Sequence, residues 1–256
     1  MIIDSHTHVG FNKIIPSKIS ELISSMKKAG VDRAMVYAGD LGQCSTKTLL
    51  EETKDYQNII YSVGSISPFS NNKPSVEQVE EWLKNNQIYG LKFYPGYEFF
   101  YPFDAILRPY LKLLVKYNRP AIFHSGDTFN LVPGAKLKFA HPLHIDELAS
   151  DMPDLKIIIA HIGYPWVIDT AEVCFKNKNV FTDCSGLVYD KFGNQDIELV
   201  KRILNDFKLF AGGLDKLIFG TDWPLVDQED YVANMKQLIG LNEAIFSQNA
   251  KVIFGI

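Results

Sequence analysis

Eight short apolar runs, separated by helical segments along 256 residues, predict an α/β fold of the (β/α)8 TIM-barrel type, in one domain over residues 1–256. Three observations carry the prediction. The runs are nearly continuous in apolar residues, as parallel strands covered on both faces are. The length is the usual one for this barrel. No run is followed by the Gly-rich dinucleotide loop expected of the alternative, a doubly wound open sheet.

The first run opens Met1-Ile2-Ile3 and ends in His6-Thr7-His8 before Gly10. A helix over 17–29 follows, with Ile19, Leu22, Ile23 and Met26 on one face, Ser17 as the expected cap and Gly30 as the stop. The second run is 31–37, followed by a loop and helix to about 57. The third is 59–66. Ser75 then caps a helix, with Gln78 at the capping-box position and Val76, Val79 and Leu83 as its buried stripe. The fourth run, 89–95, stops at Pro95-Gly96 and leads into an aromatic loop holding Tyr97, Phe99, Phe100, Tyr101 and Phe103. Pro109 suits the first turn of the next helix, to about 118. The fifth run, 120–124, ends in His124, with a long connection to a short helix at 143–150. The sixth, 155–161, is the most apolar and ends in His161. Trp166, Val167, Ala171 and Val173 belong to the helix after it. The seventh is 180–183, before a helix near 196–209. The eighth, 216–222, ends in Asp222 before Trp223-Pro224, and two helices follow.

Composition narrows the function classes. Hydrophobic residues make up 46% and charged residues 22%, ordinary for a soluble globular protein, and the net charge of −4 leaves no footprint for nucleic acid or an anionic membrane. No apolar run approaches the roughly 20 residues of a membrane span, and no signal-peptide pattern is seen. Cys44, Cys174 and Cys184 are odd in number and lack metal-type spacing, which suits buried thiols in a reducing, cytoplasmic setting.

The chemistry collects at strand ends. On a strand, His6 and His8 share a face about 7 Å apart along the chain. Alone they are equally read as surface histidines. His124, His161 and Asp222 end other runs, each before a loop signal, so four of the six histidines and a carboxylate meet at the C-terminal mouth of the barrel. Imidazoles with a carboxylate suit zinc, manganese or iron, and three or four such ligands with an open position make a catalytic site.

Asp4-Ser5-His6-Thr7-His8, the single histidines at 124 and 161, and Gly220-Thr221-Asp222-Trp223-Pro224 resemble the amidohydrolase superfamily. The resemblance is closest to the amidohydrolase-related branch that includes aminocarboxymuconate semialdehyde decarboxylase, and it runs to the closing stretch 245–250. It implies that His6, His8, His124 and Asp222 hold one divalent ion, Zn2+ first and Mn2+ second. It also implies that His161 and Asp222 are catalytic, with Asp222 taking a proton from a metal-activated water. The expected activity is hydrolysis of a small amide, ester or lactone; the alternative is non-oxidative decarboxylation of a small unsaturated or aromatic acid.

Lys92, on the fourth run, has three readings: an ammonium binding an anionic substrate, a solvated or ion-paired lysine, or a carbamylated lysine bridging two metals, the one case in which a second metal is expected. Tyr94 points the same way as Lys92, and Asp127 and Thr128 follow His124 closely; Lys92, Tyr94 and Asp127 are the expected substrate contacts. Asp4 either orients a ligand imidazole or forms an ion pair. The aromatic loop is a lid, a pocket wall, or a rim patch for packing or a homodimer. His141 and His144 lie away from any strand end and read as exposed or capping residues, with lining of the pocket as the alternative. The expected partner is a small, anionic molecule, with no nucleic acid and no membrane.

Overall fold

Each apolar run becomes one strand of a single parallel sheet. The structure, a computed structural model, describes residues 1–10, 17–39, 44–128, 132 and 134–256. The parts of the second and fifth expected connections at 40–43, 129–131 and 133 lie outside the described residues. The strands are β1 (Ile3–His8), β2 (Arg33–Tyr37), β3 (Ile60–Ser65), β4 (Leu91–Phe93), β5 (Ala121–Phe123), β6 (Ile157–Ile159), β7 (Val180–Asp183) and β8 (Leu217–Ile218). They are ordered one to eight, with every neighbouring pair parallel. The ring closes through β1 and the segment leaving β8: Ser5 N donates to Phe219 O at 3.0 Å, Asp222 N to His6 O at 2.8 Å and His8 N to Trp223 O at 2.8 Å. The fold is the expected TIM barrel.

The outer layer is α1 (Ile19–Ala29), α2 (Thr46–Thr53), α3 (Val76–Lys84), α4 (Arg108–Lys116), α5 (Leu143–Asp151), α6 (Val167–Lys176), α7 (Asn194–Phe210) and α8 (Gln228–Ile239), followed by a π-helical turn and α9 (Asn249–Phe254). Ser45, Ser75 and Asp227 each accept a backbone N–H three residues on, so α2, α3 and α8 start at satisfied caps. At Ser75 this is the Gln78 N–H. The first helix begins later than expected. Lys18, not Ser17, is its cap, because the Glu21 carboxylate reaches back 2.7 Å to the Lys18 N–H.

Side-chain alternation divides the strands between two cores. Ile157 and Ile159 pack outward with the helices, and Ile158 inward; Ala121 and Phe123 go outward, and Ile122 inward. The inner core also holds Ile3, Met35, Val63 and Ile218, and α9 adds Ala250, Ile253 and Phe254. The same alternation places Lys92, between outward Leu91 and Phe93, inside the barrel.

Every strand but β7 is shorter than its apolar run, and at β6 and β8 the shortening bears on the site. β6 ends at Ile159, because His161 and Ile162 turn into left-handed backbone at φ 60° and 49°. β8 ends at Ile218, and Asp222 follows at φ 73°. His161 and Asp222 therefore stand on the exits of their strands and not within them.

Candidate active site

Lone histidines at the end of apolar strands are costly to bury unless their nitrogens are occupied. In the mouth of this barrel each ring is held at one nitrogen. His6 is fully buried and its Nδ1 lies 2.9 Å from Asp183 Oδ2. His161 Nδ1 lies 3.2 Å from the Ser185 carbonyl and 2.9 Å from Ser185 Oγ. His124 Nε2 lies 2.8 Å from the Asp127 carbonyl. A carbonyl or a carboxylate only accepts, so these nitrogens carry the protons. The lone pairs of His161 Nε2 and His124 Nδ1 are left for another partner, and that of His6 Nε2 takes only a long contact from Lys92 Nζ, at 3.4 Å. Burial holds the imidazoles of His6, His124 and His161 below the usual histidine range, His6 at about 3.

Two carboxylates complete the centre. Asp222 Oδ1 lies 3.2 Å from His8 Nε2 and 3.7 Å from His6 Nε2. Asp183 Oδ1 accepts the backbone N–H of His161 at 3.0 Å, that of Ser185 at 3.1 Å, and the Ser185 hydroxyl at 2.5 Å. Burial pushes both carboxyls up, but the surrounding histidines outweigh it: His8 first for Asp222, His6 first for Asp183. Both stay well below the usual carboxylate range. Gly186 is required beside them. Its φ is +65°, and a Cβ there would lie 2.9 Å from Asp222 Oδ2 and 3.1 Å from His161 Nδ1.

The rings form one cluster: His6 and His8 centroids are 5.2 Å apart, His6 and His161 4.8 Å, and His124 and His161 5.1 Å. Two sets of three place all their ligand atoms within 4.8 Å of one another: His6 with His8 and Asp222, and His6 with His161 and Asp183. In the second, Asp183 hydrogen-bonds the His6 ring and the backbone N–H of His161. The first brings two imidazole nitrogens and a carboxylate oxygen together, while His6 donates its other N–H to Asp183. That is the donor chemistry of a divalent transition-metal site, and the residues fit such an ion. His124 stands at the same mouth but in neither set.

Lys92 is fully buried beneath this cluster, its Nζ donating to His6 Nε2 at 3.4 Å and standing 5.3 Å and 5.4 Å from the ring centres of Tyr37 and Tyr94. Burial pushes its ammonium down to about 8, against the pull of Asp183 and Asp222. Tyr94 turns its hydroxyl to the Ala38 carbonyl at 3.1 Å. Asp127 reaches the cluster through its backbone carbonyl; its exposed side chain accepts from Thr128 N at 2.8 Å. Asp4 touches no imidazole. It accepts from Thr221 N and Oγ1, Gln228 Nε2 and His6 N at 3.0, 2.6, 2.8 and 3.2 Å, and so braces the backbone joining β1 to the β8 exit. Of the aromatic loop, Tyr97 packs on the His124 ring at 4.7 Å, as a pocket wall. Phe99 and Tyr101 pack on Phe139 at the rim. His141 and His144 lie outside the cluster, against Trp166 and Tyr101. A cavity of about 370 Å³ between α2 and α3, lined by Thr46, Ser65, Ser67, Lys73 and Gln78 among others, holds none of the histidines.

Asp183 and Ser185 are the functional residues that the sequence reading did not single out. Their signal was present: Asp183 ends the seventh run before Cys184-Ser185-Gly186, as the histidines end theirs.

The model of the family described as Amidohydrolase matches residues 49–256. No curated protein matches the chain. Among solved structures, the chain is similar to a probable 2-pyrone-4,6-dicarboxylic acid hydrolase from Acinetobacter baumannii with citric acid bound, at 17% identity and TM-score 0.73, covering 100% of this chain and 99% of that one. An amidohydrolase from Burkholderia multivorans with bound zinc gives 16%, 0.74, 100% and 99%. A 2,6-dihydroxybenzoate decarboxylase from Rhizobium gives 13%, 0.74, 99% and 98%. At these identities the likeness is one of fold.

The Asp183 bond to His6 generates a prediction. Asp183→Asn keeps the shape but weakens acceptance from the imidazole, and partners of this kind typically contribute about 10–100-fold in metal affinity. Titration of zinc into metal-free protein should show a loss of that size. Wild-type affinity in the variant would mean that Asp183 does not hold the ring for a metal.

Proposed function

The chain belongs to the amidohydrolase family, whose members are metal-dependent enzymes, and we propose that it hydrolyses a small amide, ester or lactone at the mouth of its barrel. The observation that carries this reading is that His6 Nε2, His8 Nε2 and Asp222 Oδ1, all of buried residues, lie within 4.8 Å of one another. These residues would hold one divalent ion, with His124, whose Nδ1 lone pair is left open, as the fourth ligand. Zinc is the first choice and manganese the second; the zinc in the Burkholderia structure supports the first. When bound, the ion acts as a Lewis acid and supplies hydroxide at neutral pH.

The protein's own groups do the rest. Asp222, held anionic by the surrounding histidines, is the proton acceptor. His161, tied through Nδ1 to Ser185 and left-handed in its backbone, presents an Nε2 lone pair that accepts a hydrogen bond from the attacking water, and Asp222 returns the proton it has taken to the departing group. A left-handed non-glycine residue costs about 1–3 kcal/mol, so the ring's position is held by the network around it. Lys92, with Tyr94 beside it, faces an anionic part of the substrate, and Asp127 stands at the entrance. A second ion would require Lys92 to be carbamylated; its donation to His6 favours the free amine. Cys44, Cys174 and Cys184 are buried free thiols, which suits the reducing setting proposed for the protein, and no helix among the described residues is long and apolar enough to cross a membrane.

Decarboxylation of a small unsaturated or aromatic acid is the second reading, favoured by the buried cation Lys92, which suits an acid substrate. Assays on amides, esters and lactones, and carbon dioxide release from carboxylated aromatics, separate the two. Either activity should vanish on chelation and return with zinc or manganese. Activity that persists in protein shown to be metal-free would overturn the metal mechanism.

The roles of His161 and His124 differ measurably. His161→Ala should retain its metal and lose about 10²–10⁴-fold in kcat, the usual contribution of a general acid–base group. His124→Ala should lose metal steeply. Equal metal loss in the two variants would move His161 to the ligand set and overturn the one-ion reading.

A further inference from the structure

The inner walls of the mouth differ in chemistry. β1, β7 and the β8 exit carry His6, His8, Asp183 and Asp222. β2, β3 and β4 carry Tyr37, Ser65 and Lys92. Tyr37 closes β2 in register with His8 on one side and Val63 on the other. Ser65 closes β3, two residues after inward Val63 and in register with Lys92. Ser65 borders the cavity between α2 and α3, and by alternation its side chain turns to the same interior as Lys92, with Ile60 and Ile66 of the opposite parity packing outward.

The hydroxyls of Tyr37 and Ser65 are both buried, in residues 0% and 1% exposed, and among the described residues neither has a hydrogen-bond partner. An unsatisfied buried hydroxyl is destabilising, and native proteins keep few. Here two stand on adjacent strands, at the height of the catalytic cluster. The Tyr37 ring packs 4.4 Å from the His6 ring and 5.7 Å from that of His8, and Lys92 Nζ lies 5.3 Å from its centre. No carboxylate among the described residues pairs with Lys92 within 4.0 Å.

The geometry points to Tyr37 and Ser65 as substrate-recognition residues that, with the charge of Lys92, form a carboxylate-binding subsite opposite the His6–His8–Asp222 set. The substrate is then a small carboxylic acid. Its carboxylate accepts from the two hydroxyls and the Lys92 amine, and its reacting carbon faces the histidines. This subsite rests on the proposed reading of the centre and adds the substrate's charge class and two residues to it.

The test is calorimetric binding of acetate and benzoate, with acetamide and benzamide as neutral counterparts, to metal-loaded wild type, Tyr37→Phe, Ser65→Ala and the double variant. Metal per chain and Tm are measured alongside. Wild type should prefer each acid to its amide. Each hydroxyl removed should weaken acid binding about 10-fold, as expected for a hydrogen bond to a charged group. Amide binding and metal content should stay as in wild type, and Tm should not fall, because an unpartnered hydroxyl is being removed. Three results would overturn the subsite: no preference for acids in wild type; unchanged acid binding in the variants, which would place the carboxylate on the metal; or a parallel fall of Tm and metal content, which would make the hydroxyls structural. A wild type that takes up no metal yet shows the hydroxyl-dependent preference would sink the metal reading and leave the subsite standing.

Discussion

The buried Asp183 carboxylate is the constraint on which the site depends. It takes the His6 Nδ1–H on one oxygen and, on the other, the backbone N–H of His161, that of Ser185 and the Ser185 hydroxyl. Three consequences follow from one charged group. The His6 tautomer is fixed, so its Nε2 lone pair faces Asp222. The left-handed turn that carries His161 is tied to β7. Ser185 is oriented to hold the His161 ring. A buried carboxylate is tolerated only when its oxygens are satisfied, and here it organises the ends of three strands that are distant in sequence.

The barrel places these groups by ending its strands early. Regular strands would space the site residues at ladder distances and turn alternate side chains to the helices. Instead the chain leaves β6 and β8 in left-handed backbone at His161 and Asp222, which aims both side chains across the mouth. Below them, Asp4 ties β1 to the segment leaving β8, so His6, His8 and Asp222 keep a common position although more than 200 residues separate them. Gly186 leaves room for Asp222 and His161 to approach.

The eight strands were legible because parallel strands buried on both faces read as continuous apolar runs, and Ile157-Ile158-Ile159 is the plainest case. Their ends were less so. Nothing in the type of residue at 161 or 222 announces a left-handed backbone, which the surrounding hydrogen bonds impose. His6, His8, His124, His161 and Asp222 were legible as a group because their residue types are rare at strand ends, and the structure brings them to one mouth. Asp183 has the same placement but is a common residue, and its importance lies in its contacts with His6 and His161 at the ends of other strands and with Ser185. Tyr37 and Ser65 carry no signal in sequence at all, since the lack of a partner for a hydroxyl is a property of three dimensions. Asp127 marks the opposite case: its side chain drew notice, but its carbonyl is what touches His124.

The central claim is that the lone pairs left open by this network converge on one cation. Anomalous diffraction from crystals of the zinc-loaded protein, collected on both sides of the zinc absorption edge, tests it most directly. The account predicts one peak per chain, about 2.0–2.2 Å from His6 Nε2, His8 Nε2, His124 Nδ1 and Asp222 Oδ1, with Asp183 still bonded to the far side of the His6 ring. A peak held instead by Asp183 and His161, or none in the mouth of the barrel, would contradict it.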